Sequence, residues 1–481
     1  MLFDGEILSL PQKIRTIMVG RKQEQKELKR AFESKESEFV MVYGRRRVGK
    51  TYLVREFFGD KFVFFCTGIA RGTMREELMN FRLSIVQKEG TSDCPVFGNW
   101  MEAFERLRIL AERAEEKRKV IFLDEVPWMY TQKSDFLKAL EHFWNGWACQ
   151  QHNIVLIVCG SAASWMVKKI VRDKGGLHDR ITLPLKIQPF TLSETKEYLV
   201  SSGIQWDEKT IAECYMVLGG IPYYLKLLDR SLSLVQNIDR LFFARSAILG
   251  AEFPNLYASL FKESRDYVRI VDILSRKKMG YTREEIIRLG SFTDGGGVSE
   301  KLADLEECGF IRRYAAKGDA GSLYQLTDYY TAFYYHFIKD GSFDDDQFWM
   351  HIQGSPKYNT WKGLSFEKLC FSHLAQIKRA LGIEGIWTKA YAYSGEGVQI
   401  DMILERADRC VNIVEIKYLD TPFVITPAYA ETLKKRQQVV ASLYKKRMTY
   451  MTVMITAEGL SRNALSSSLI QQELTLDVLY Q

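Results

Sequence analysis

The chain has 481 residues and a formal net charge of +7, and 46% of its residues are hydrophobic while 26% are charged. This composition excludes large-scale disorder, and the length is too great for one hydrophobic core, so roughly three domains are expected. The longest apolar runs, near residues 62–66 and 154–159, are too short to span a bilayer, and no basic, apolar leader opens the sequence. We therefore expect a cytoplasmic protein with no membrane partner, whose eight scattered cysteines are reduced thiols rather than zinc ligands.

A phosphate-binding loop is predicted near the N-terminus. The apolar run 39–43 breaks into a glycine-bounded basic loop that matches G-x-x-x-x-G-K-[ST] and leads into a helical pattern at 52–58. In such a loop the backbone N–H groups face the phosphates, Lys50 reaches the β- and γ-phosphates, and the Thr51 hydroxyl binds Mg²⁺. The alternative is an ordinary glycine-containing strand-to-helix turn. The residues expected to hold ATP here are Gly44, Arg45, Arg46, Arg47, Val48, Gly49, Lys50 and Thr51.

Strands and helices alternate after this loop. Continuous apolar runs at 61–66, 120–123 and 154–159 are separated by amphipathic stretches, which predicts a parallel sheet covered on both faces. The run at 120–123 ends in Asp124 and Glu125. We expect Asp124 to hold Mg²⁺ and Glu125 to polarise the attacking water, although a solvated strand end would show the same pair.

Three further positions suit a nucleotide site. Ser161 follows the run 154–159, where either a γ-phosphate sensor or a helix N-cap is expected. Arg180 can supply charge to a transition state, or it is a solvated arginine in a basic loop. The segment 219–225 contains Gly-Gly-Ile-Pro, which also reads as a junction between two helices with Pro222 at the start of the second.

Taken in order, these motifs resemble the archaeal-type P-loop ATPases of the AAA+/STAND group, over about the first half of the chain. That family carries a GRRRxGKT loop, an LDE strand, a GS sensor, a GR-type loop and a GGxPxYL motif, matched here at 44–51, 123–125, 160–161 and 219–225. The sequence departs at the arginine loop, where Asp179 replaces the expected glycine before Arg180. The resemblance implies that Pro222 packs near the adenine.

Residues 261–340 predict three helices and a small hairpin, which together suggest a winged helix. Such a module often reads DNA with its third helix, here through Ser299, Glu300 and Lys301. The same helix is acidic, so a structural linker role is the alternative. A polar, turn-rich linker is expected at 340–346.

The last unit combines carboxylates with a lysine. A helix predicted at 364–379 carries Glu367, and two strands at 398–404 and 411–418, forming a hairpin, carry Asp401, Glu415 and Lys417. Three carboxylates can hold Mg²⁺, and a lysine two residues beyond Glu415 lies on the same strand face, where it can position or deprotonate a water. Surface charges on a strand pair are the alternative, and the basic run 434–437 either meets phosphates or is a solvated face.

This half resembles the PD-(D/E)XK nuclease fold, in the DUF234-like form attached to such ATPases, with Gln399 and Ile400 in place of the proline of the motif name. The predicted fold is α/β: a P-loop ATPase core (1–190), a helical lid (191–260), a winged helix (261–340) and a nuclease-like domain (355–481). The expected function is ATP hydrolysis coupled to a metal-dependent nuclease acting on DNA, with a homo-oligomer left open. The alternative is a nucleotide-switched signalling or DNA-binding ATPase whose nuclease-like domain is not catalytic.

Overall fold

The computed structural model describes residues 18–91, 93–131, 134–171, 176–177, 179–261, 263–315, 321–339 and 345–481. Most of the linker predicted at 340–346 lies outside these residues. No described helix combines the length and the apolar character that a membrane crossing needs.

The first unit is built on a five-stranded parallel sheet with the strand order β2-β3-β4-β1-β5. The strand before the phosphate-binding loop is therefore flanked by β4 and β5, and β3 is one strand further away. Its elements are α1 (Lys22–Glu33), β1 (Glu38–Tyr43), α2 (Lys50–Phe58), β2 (Phe62–Thr67), α3 (Met74–Glu89), α4 (Trp100–Arg113), β3 (Lys119–Asp124), α5 (Val126–Met129), α6 (Phe136–Gly146), β4 (Ile154–Gly160), α7 (Ala163–Met166), followed by a π-helical turn at Val167–Val171, and β5 (Leu183–Lys186).

Strand β1 shows why this sheet forms. Its side chains alternate between two buried clusters, with Val40 and Val42 in one and Phe39 and Met41 in the other. A strand that is apolar on both faces must be covered on both sides, which the flanking helices achieve. The prediction of a parallel sheet with two covered faces is confirmed. The carboxyl ends of β1, β3 and β4 meet at one edge, which brings Gly44, Asp124 and Ser161 to the same end of the sheet.

A group of helices follows the sheet. The chain leaves helix α9 through two glycines with left-handed φ angles, 69° at Gly219 and 65° at Gly220, and enters the next helix at Pro222. A Cβ on Gly220 would lie 2.3 Å from the Phe190 carbonyl oxygen, so only glycine fits there. The elements are α8 (Leu192–Ser201), α9 (Glu208–Leu218), α10 (Pro222–Leu225), α11 (Leu234–Ile238), a π-helical turn at Asp239–Phe243, and α12 (Glu252–Leu260).

The middle unit contains three helices and a three-stranded antiparallel sheet with the order β6-β8-β7. The residues proposed to face DNA make contacts within the protein: Ser299 accepts a hydrogen bond from Arg283, Glu300 pairs with Lys168 of the first unit, and Lys301 pairs with Asp266. The elements are α13 (Ser264–Ser275), β6 (Tyr281–Thr282), α14 (Arg283–Gly290), α15 (Gly296–Glu307), β7 (Ile311–Ala315), β8 (Ser322–Leu326), α16 (Tyr329–Phe333), a π-helical turn at Tyr334–Ile338, and α17 (Phe348–His351).

The last unit is a mixed sheet with the order β15-β13-β11-β10-β9, in which β9, β10 and β11 are antiparallel and β11, β13 and β15 are parallel. The predicted hairpin of β10 and β11 is confirmed. The elements are α18 (Pro356–Ser372), α19 (Leu374–Ala380), β9 (Thr388–Gly395), β10 (Val398–Arg406), β11 (Cys410–Lys417), β12 (Phe423–Val424), α20 (Pro427–Ser442), β13 (Thr449–Thr456), β14 (Leu460–Ser461), α21 (Ala464–Leu469) and β15 (Gln472–Thr475).

The single helix predicted at 364–379 is wrong in its bounds. The structure has α18 from Pro356 and a break at His373 before α19. The break has a contact that explains it, because the buried His373 ring accepts a hydrogen bond from the Leu192 backbone at 3.0 Å, at the start of helix α8. The imidazole thus satisfies one of the free N–H groups of that helix terminus, which an uninterrupted helix could not reach.

Candidate functional site

The loop between β1 and α2 has the backbone of an anion-binding turn. Gly44 has a φ of 146° and Gly49 a φ of 88°, both in the region that favours glycine. A Cβ on Gly44 would lie 2.3 Å from the Ile187 carbonyl oxygen, so no larger residue fits at the start of the loop. Lys50 is buried at the N-terminus of α2, and its ammonium donates to the Arg45 carbonyl at 2.9 Å. The loop therefore encloses one positive charge at a helix N-terminus.

Two carboxylates face this loop from the end of β3. The Thr51 hydroxyl donates to the Asp124 carboxylate at 2.9 Å, and Glu125 accepts from the Ser161 hydroxyl at 2.8 Å and from the Ser161 N–H at 3.1 Å. Burial, with Glu125 beside it, raises the pKa of Asp124. Glu125 has a left-handed φ of 50°, which is uncommon for a non-glycine residue and often marks a functional position.

Ser161 is not a helix N-cap. Helix α7 has Ala162 at its N-cap position, without a side-chain cap, whereas the Ser161 hydroxyl bonds to Glu125. The N-cap interpretation is therefore wrong, and the sensor role stays a prediction.

The basic residues of the loop connect it to other units. Arg45 is buried in an ion pair with Asp328, which precedes α16, and its guanidinium lies 4.8 Å from the centre of the Phe310 ring. Arg47 pairs with Glu252 of α12, whereas Arg46 is exposed. Arg45 and Arg47 thus connect the loop to other units through ion pairs, and they do not point into an open site.

The structure brings Pro222 to the loop but not Arg180. The Pro222 ring packs beside Gly49, since a Cβ there would lie 4.0 Å from its Cγ, and the Arg47 guanidinium lies 4.2 Å from the centre of the Tyr223 ring. Arg180 is exposed on a turn, and its side chain forms no hydrogen bond or ion pair with a described residue. Its proposed role at the nucleotide depends on a movement or on a second copy of the chain.

The residues of this first site fit ATP with Mg²⁺. A hydroxyl and a carboxylate side by side, Thr51 and Asp124, are the hard oxygen donors that Mg²⁺ prefers. The Lys50 ammonium and the loop N–H groups are donors suited to phosphate oxygens. Val48 completes the loop with a buried side chain and a carbonyl that accepts from Arg21 at 3.0 Å, which holds the backbone in place.

A second group of carboxylates lies in the last unit, and we call Glu367, Asp401 and Glu415 the carboxylate cluster. Asp401 and Glu415 lie on the neighbouring antiparallel strands β10 and β11. Asp401 precedes Met402 and Glu415 follows Val414, and Met402 and Val414 are paired with each other. Asp401 accepts from the Ile416 N–H at 3.1 Å, and Glu415 is fully buried and accepts from the Tyr429 hydroxyl at 3.1 Å. Helix α18 brings Glu367 to the same place.

Three cations contact this cluster. Lys278 pairs with Glu367 and lies 3.3 Å from Asp401, while Lys417 lies 3.4 Å from Asp401 and 3.7 Å from Glu415. Arg436 of α20 pairs with Glu415. The predicted set of Glu367, Asp401, Glu415 and Lys417 is therefore brought together, but with two additional cations inside it.

These cations and burial set the protonation of the cluster. Burial, with Asp401 nearby, raises the pKa of Glu367 to about 7 and that of Glu415 to about 6. Asp401 is different, since Lys417 and Lys278 outweigh its burial and lower its pKa. The pKa of Lys417 is raised by Asp401, so in this arrangement it is an ammonium that donates hydrogen bonds and not a base.

The carboxylate oxygens of the cluster are suitable ligands for a divalent cation, but in this structure they are not arranged as a metal site. The Glu415 Oε1 atom is buried and has no hydrogen-bond partner among the described residues. Within the described part of the chain, no three His, Cys, Asp or Glu side chains are placed so that they could hold a metal ion. The Lys278 ammonium lies between Glu367 and Asp401, where such an ion would need both oxygens.

Several residues at these two sites were not predicted. Lys278 ends a short basic run after α13, and Asp328 and Glu252 are single acids outside any motif. Only Tyr429 and Arg436 carried a signal, because a spacing of seven places them on one face of α20. Arg436 was expected to meet phosphates, and the structure pairs it with Glu415 instead, while Lys434 and Lys435 are exposed.

Comparison with known proteins supports the first site. Residues 18–228 match the family model of an ATPase domain predominantly from Archaea. An uncharacterized protein of Methanocaldococcus jannaschii, MJECL04, is 25% identical over 417 residues, covering 84% of this chain and 88% of the relative. Segment 18–228 thus matches an ATPase domain of archaeal type, and that part of the resemblance is confirmed.

Solved structures of similar fold include the Walker-type ATPase of Pyrococcus abyssi, with 19% identity and a TM-score of 0.48, covering 66% of this chain and 96% of that one. The ORC2 protein of Aeropyrum pernix, in its ADPNP and ADP complexes, has 13% identity and a TM-score of 0.40, covering 66% and 92%.

Proposed function

We propose that the protein binds and hydrolyses ATP with Mg²⁺ at the loop of the first unit, and that this activity controls a metal-dependent nuclease in the last unit that acts on DNA. The observation that carries the first half is the contact of Thr51 with Asp124 at 2.9 Å, beside a buried Lys50, within the archaeal-type ATPase domain. The second half is supported by the convergence of Glu367, Asp401, Glu415 and Lys417 in a second unit.

Each residue of the ATP site has a distinct proposed role. Lys50 and the N–H groups of 44–51 hold the β- and γ-phosphates, and Pro222 closes the pocket on the adenine side. Thr51 and Asp124 hold Mg²⁺, which neutralises charge on the phosphates when it is bound. Glu125 orients the attacking water, and Ser161, whose hydroxyl bonds to that carboxylate, is the proposed sensor of the γ-phosphate.

In the nuclease, Glu367, Asp401 and Glu415 would hold Mg²⁺, which supplies the Lewis-acid chemistry of phosphodiester hydrolysis when bound. Lys417 would donate hydrogen bonds to the attacking water or to the phosphate, in keeping with its raised pKa.

A second candidate function is favoured by the cations inside the cluster. Lys278, Lys417 and Arg436 already compensate the three carboxylates. Carboxylates that are paired with cations of the same chain need no metal ion to compensate their charge, which is compatible with a domain that is not catalytic. In that case the protein is a nucleotide-switched signalling or DNA-binding ATPase.

One experiment separates the two functions. Purified protein is incubated with Mg²⁺ or Mn²⁺, with and without ATP, on supercoiled plasmid and on single-stranded DNA, while released phosphate and DNA products are measured together. Phosphate release with DNA cleavage supports the nuclease proposal. Phosphate release with intact DNA under every condition contradicts it and supports the non-catalytic alternative.

A further inference from the structure

Lys278 stands apart from the other cations at the carboxylate cluster because it comes from a different unit. Lys417 lies on strand β11 and Arg436 on helix α20, both in the last unit, whereas Lys278 lies in the turn between α13 and β6 of the middle unit. The ammonium reaches across the boundary to contact Glu367 and Asp401.

We propose that Lys278 is an internal plug of the carboxylate cluster, which must withdraw from Glu367 and Asp401 before a divalent cation can bind there. This inference rests on the proposed metal site of the last unit, whose regulation it names. The middle unit would thereby control metal binding. As long as the turn between α13 and β6 keeps Lys278 in contact with Glu367 and Asp401, no divalent cation can bind to these carboxylates.

The Lys278 ammonium and a divalent cation would compete for the same oxygens. Both would use the same carboxylate oxygens of Glu367 and Asp401, and two cations a few ångström apart in a partly buried site repel strongly. Mg²⁺ also binds only where several hard oxygens are free. Two buried oxygens of the cluster have no hydrogen-bond partner among the described residues, Glu415 Oε1 and Glu367 Oε2, and the second is the oxygen that forms the ion pair with Lys278. With Lys278 present, Glu415 Oε1 alone of these two is free of a cation contact, and one oxygen does not make a metal site.

The position of Lys278 is built into the middle unit. Its carbonyl accepts a hydrogen bond from the Gln325 side chain at 2.6 Å, and the next carbonyl, of Met279, accepts from the Tyr314 hydroxyl at 2.5 Å. Gly280 follows with a φ of 77°, and a Cβ there would lie 2.0 Å from the Tyr324 carbonyl oxygen. The small sheet of the middle unit therefore holds this turn from both sides, so Lys278 moves with that sheet.

There is room for the plug to leave. A cavity of about 290 Å³ separates the middle and last units, and both Lys278 and Glu367 line it. Its wall also includes His336, Trp361 and Lys368. A rotation of the Lys278 side chain into this space, or a small shift of the turn, would free both carboxylates without unfolding either unit.

The test measures metal binding in the full chain without nucleotide, which keeps the ATP site from adding a strong Mn²⁺ signal. Free Mn²⁺ is titrated by electron paramagnetic resonance for the wild type, Lys278→Met and Lys278→Arg. The expected result is that Lys278→Met binds Mn²⁺ roughly 10- to 100-fold more tightly than the wild type, the range typical of coupling between two sites. Lys278→Arg keeps a positive charge beside Glu367 and Asp401, so it should retain the wild-type affinity for Mn²⁺.

Two further variants locate the effect. Lys277→Met is the matched control, because Lys277 is the adjacent residue and pairs with Glu285 at 3.6 Å, away from the cluster; it should behave as the wild type. Adding Asp401→Asn to Lys278→Met should remove the gained Mn²⁺ site. Equal Mn²⁺ affinity in the wild type and in a folded Lys278→Met, checked by circular dichroism, overturns the plug. If Lys278→Met does not fold, Lys278→Gln replaces it with the same expected gain.

The same variants distinguish the plug from the nuclease. Tighter Mn²⁺ binding in Lys278→Met with intact DNA supports the plug and overturns the nuclease. Tight binding already present in the wild type, unchanged by Lys278→Met and accompanied by cleavage, overturns the plug and leaves the nuclease standing.

Discussion

The two acidic sites of this protein use the same residue types but compensate them in opposite ways. In the first unit, Asp124 and Glu125 receive hydrogen bonds from the hydroxyls of Thr51 and Ser161, which carry no charge. In the last unit, every carboxylate of the cluster meets a lysine or an arginine. A hydroxyl leaves the negative charge available to a metal ion, whereas an ammonium neutralises it. The first site can thus accept a metal ion as it stands. By our proposal, the second site can accept one only after Lys278 has moved away.

The largest effect is expected at the carboxylate cluster. Asp401→Ala removes a central oxygen donor, so DNA cleavage should fall below detection while ATP hydrolysis, on another unit, continues. Lys417→Ala should retain metal but slow cleavage by about 10²- to 10⁴-fold, the range for a lost catalytic proton-transfer or donor group. Cleavage of labelled DNA and phosphate release are measured on the same samples. The proposal fails if Asp401→Ala cuts DNA as fast as the wild type.

At the first site the effects on ATP turnover should be nearly as large. Glu125→Gln should keep ATP binding and lower hydrolysis by about 10²- to 10³-fold, because an amide cannot polarise the attacking water. Lys50→Ala should instead lose tight binding, because Lys50 is buried at the start of α2 whereas Arg45 and Arg47 are held in ion pairs with other units. Titration with a fluorescent ATP analogue and a phosphate assay separate these outcomes. Glu115→Gln, an exposed carboxylate on the same unit, is the control; full turnover in Glu125→Gln would remove that residue from the mechanism.

The two sites are physically connected through strand β8 of the middle unit. Arg45 of the ATP loop pairs with the buried Asp328 just after this strand, and Gln325 within it holds the Lys278 carbonyl. Arg45 outweighs the burial of Asp328 and keeps the pKa of that carboxyl below its usual range. This pair joins the glycine-bounded loop of the first unit to the strand whose Gln325 holds the Lys278 carbonyl.

Breaking that connection should cost stability. Asp328→Asn keeps the cap on the Thr331 N–H but leaves Arg45 buried without a counter-charge, so the free energy of unfolding should fall by about 3–5 kcal/mol. Urea unfolding followed by tryptophan fluorescence measures this loss. Asp60→Asn, at an exposed carboxylate, should stay within about 0.5 kcal/mol of the wild type. A loss below about 1 kcal/mol for Asp328→Asn would mean that the pair does not fasten the loop.

The glycine-bounded loop could be predicted because its functional residues form a motif of consecutive positions. The glycines, Lys50 and Thr51 lie within eight positions, and the apolar runs that became β1, β3 and β4 determine which sheet edge they share. All three carboxylates of the cluster and Lys417 were predicted, because Asp401, Glu415 and Lys417 lie on one hairpin and Glu367 on the helix before it. The contact of Lys278 was not predicted. Lys278 is 123 positions from Asp401, and Arg45 is 283 positions from Asp328. Such pairs form only when the units pack against each other, so no short-range sequence pattern predicts them.

The smallest effect is predicted at a lysine next to the cluster in sequence, Lys368. Lys368 follows Glu367 on α18, lies 5.5 Å from the centre of the Tyr329 ring, and forms no ion pair with any residue in the described ranges. Burial lowers the pKa of Lys368 to about 8. Below pH 8 this lysine is charged in both the folded and the unfolded chain, so the full cost of burying the charge is present. Between pH 8 and its ordinary pKa, the folded protein loses the proton first, and wild-type stability rises with pH.

Lys368→Met should therefore stabilise the protein by about 2–3 kcal/mol at pH 7, because the methionine keeps the apolar contacts and removes a half-buried charge beside the Tyr329 ring. The gain should shrink steadily as the pH is raised above 8, since the wild type then sheds the same charge. Urea midpoints at pH 7 and pH 9.5 measure both quantities, with the exposed Lys435→Met as the control that should show neither. A gain that is equal at the two pH values would mean that packing, and not charge, separates Lys368 from methionine.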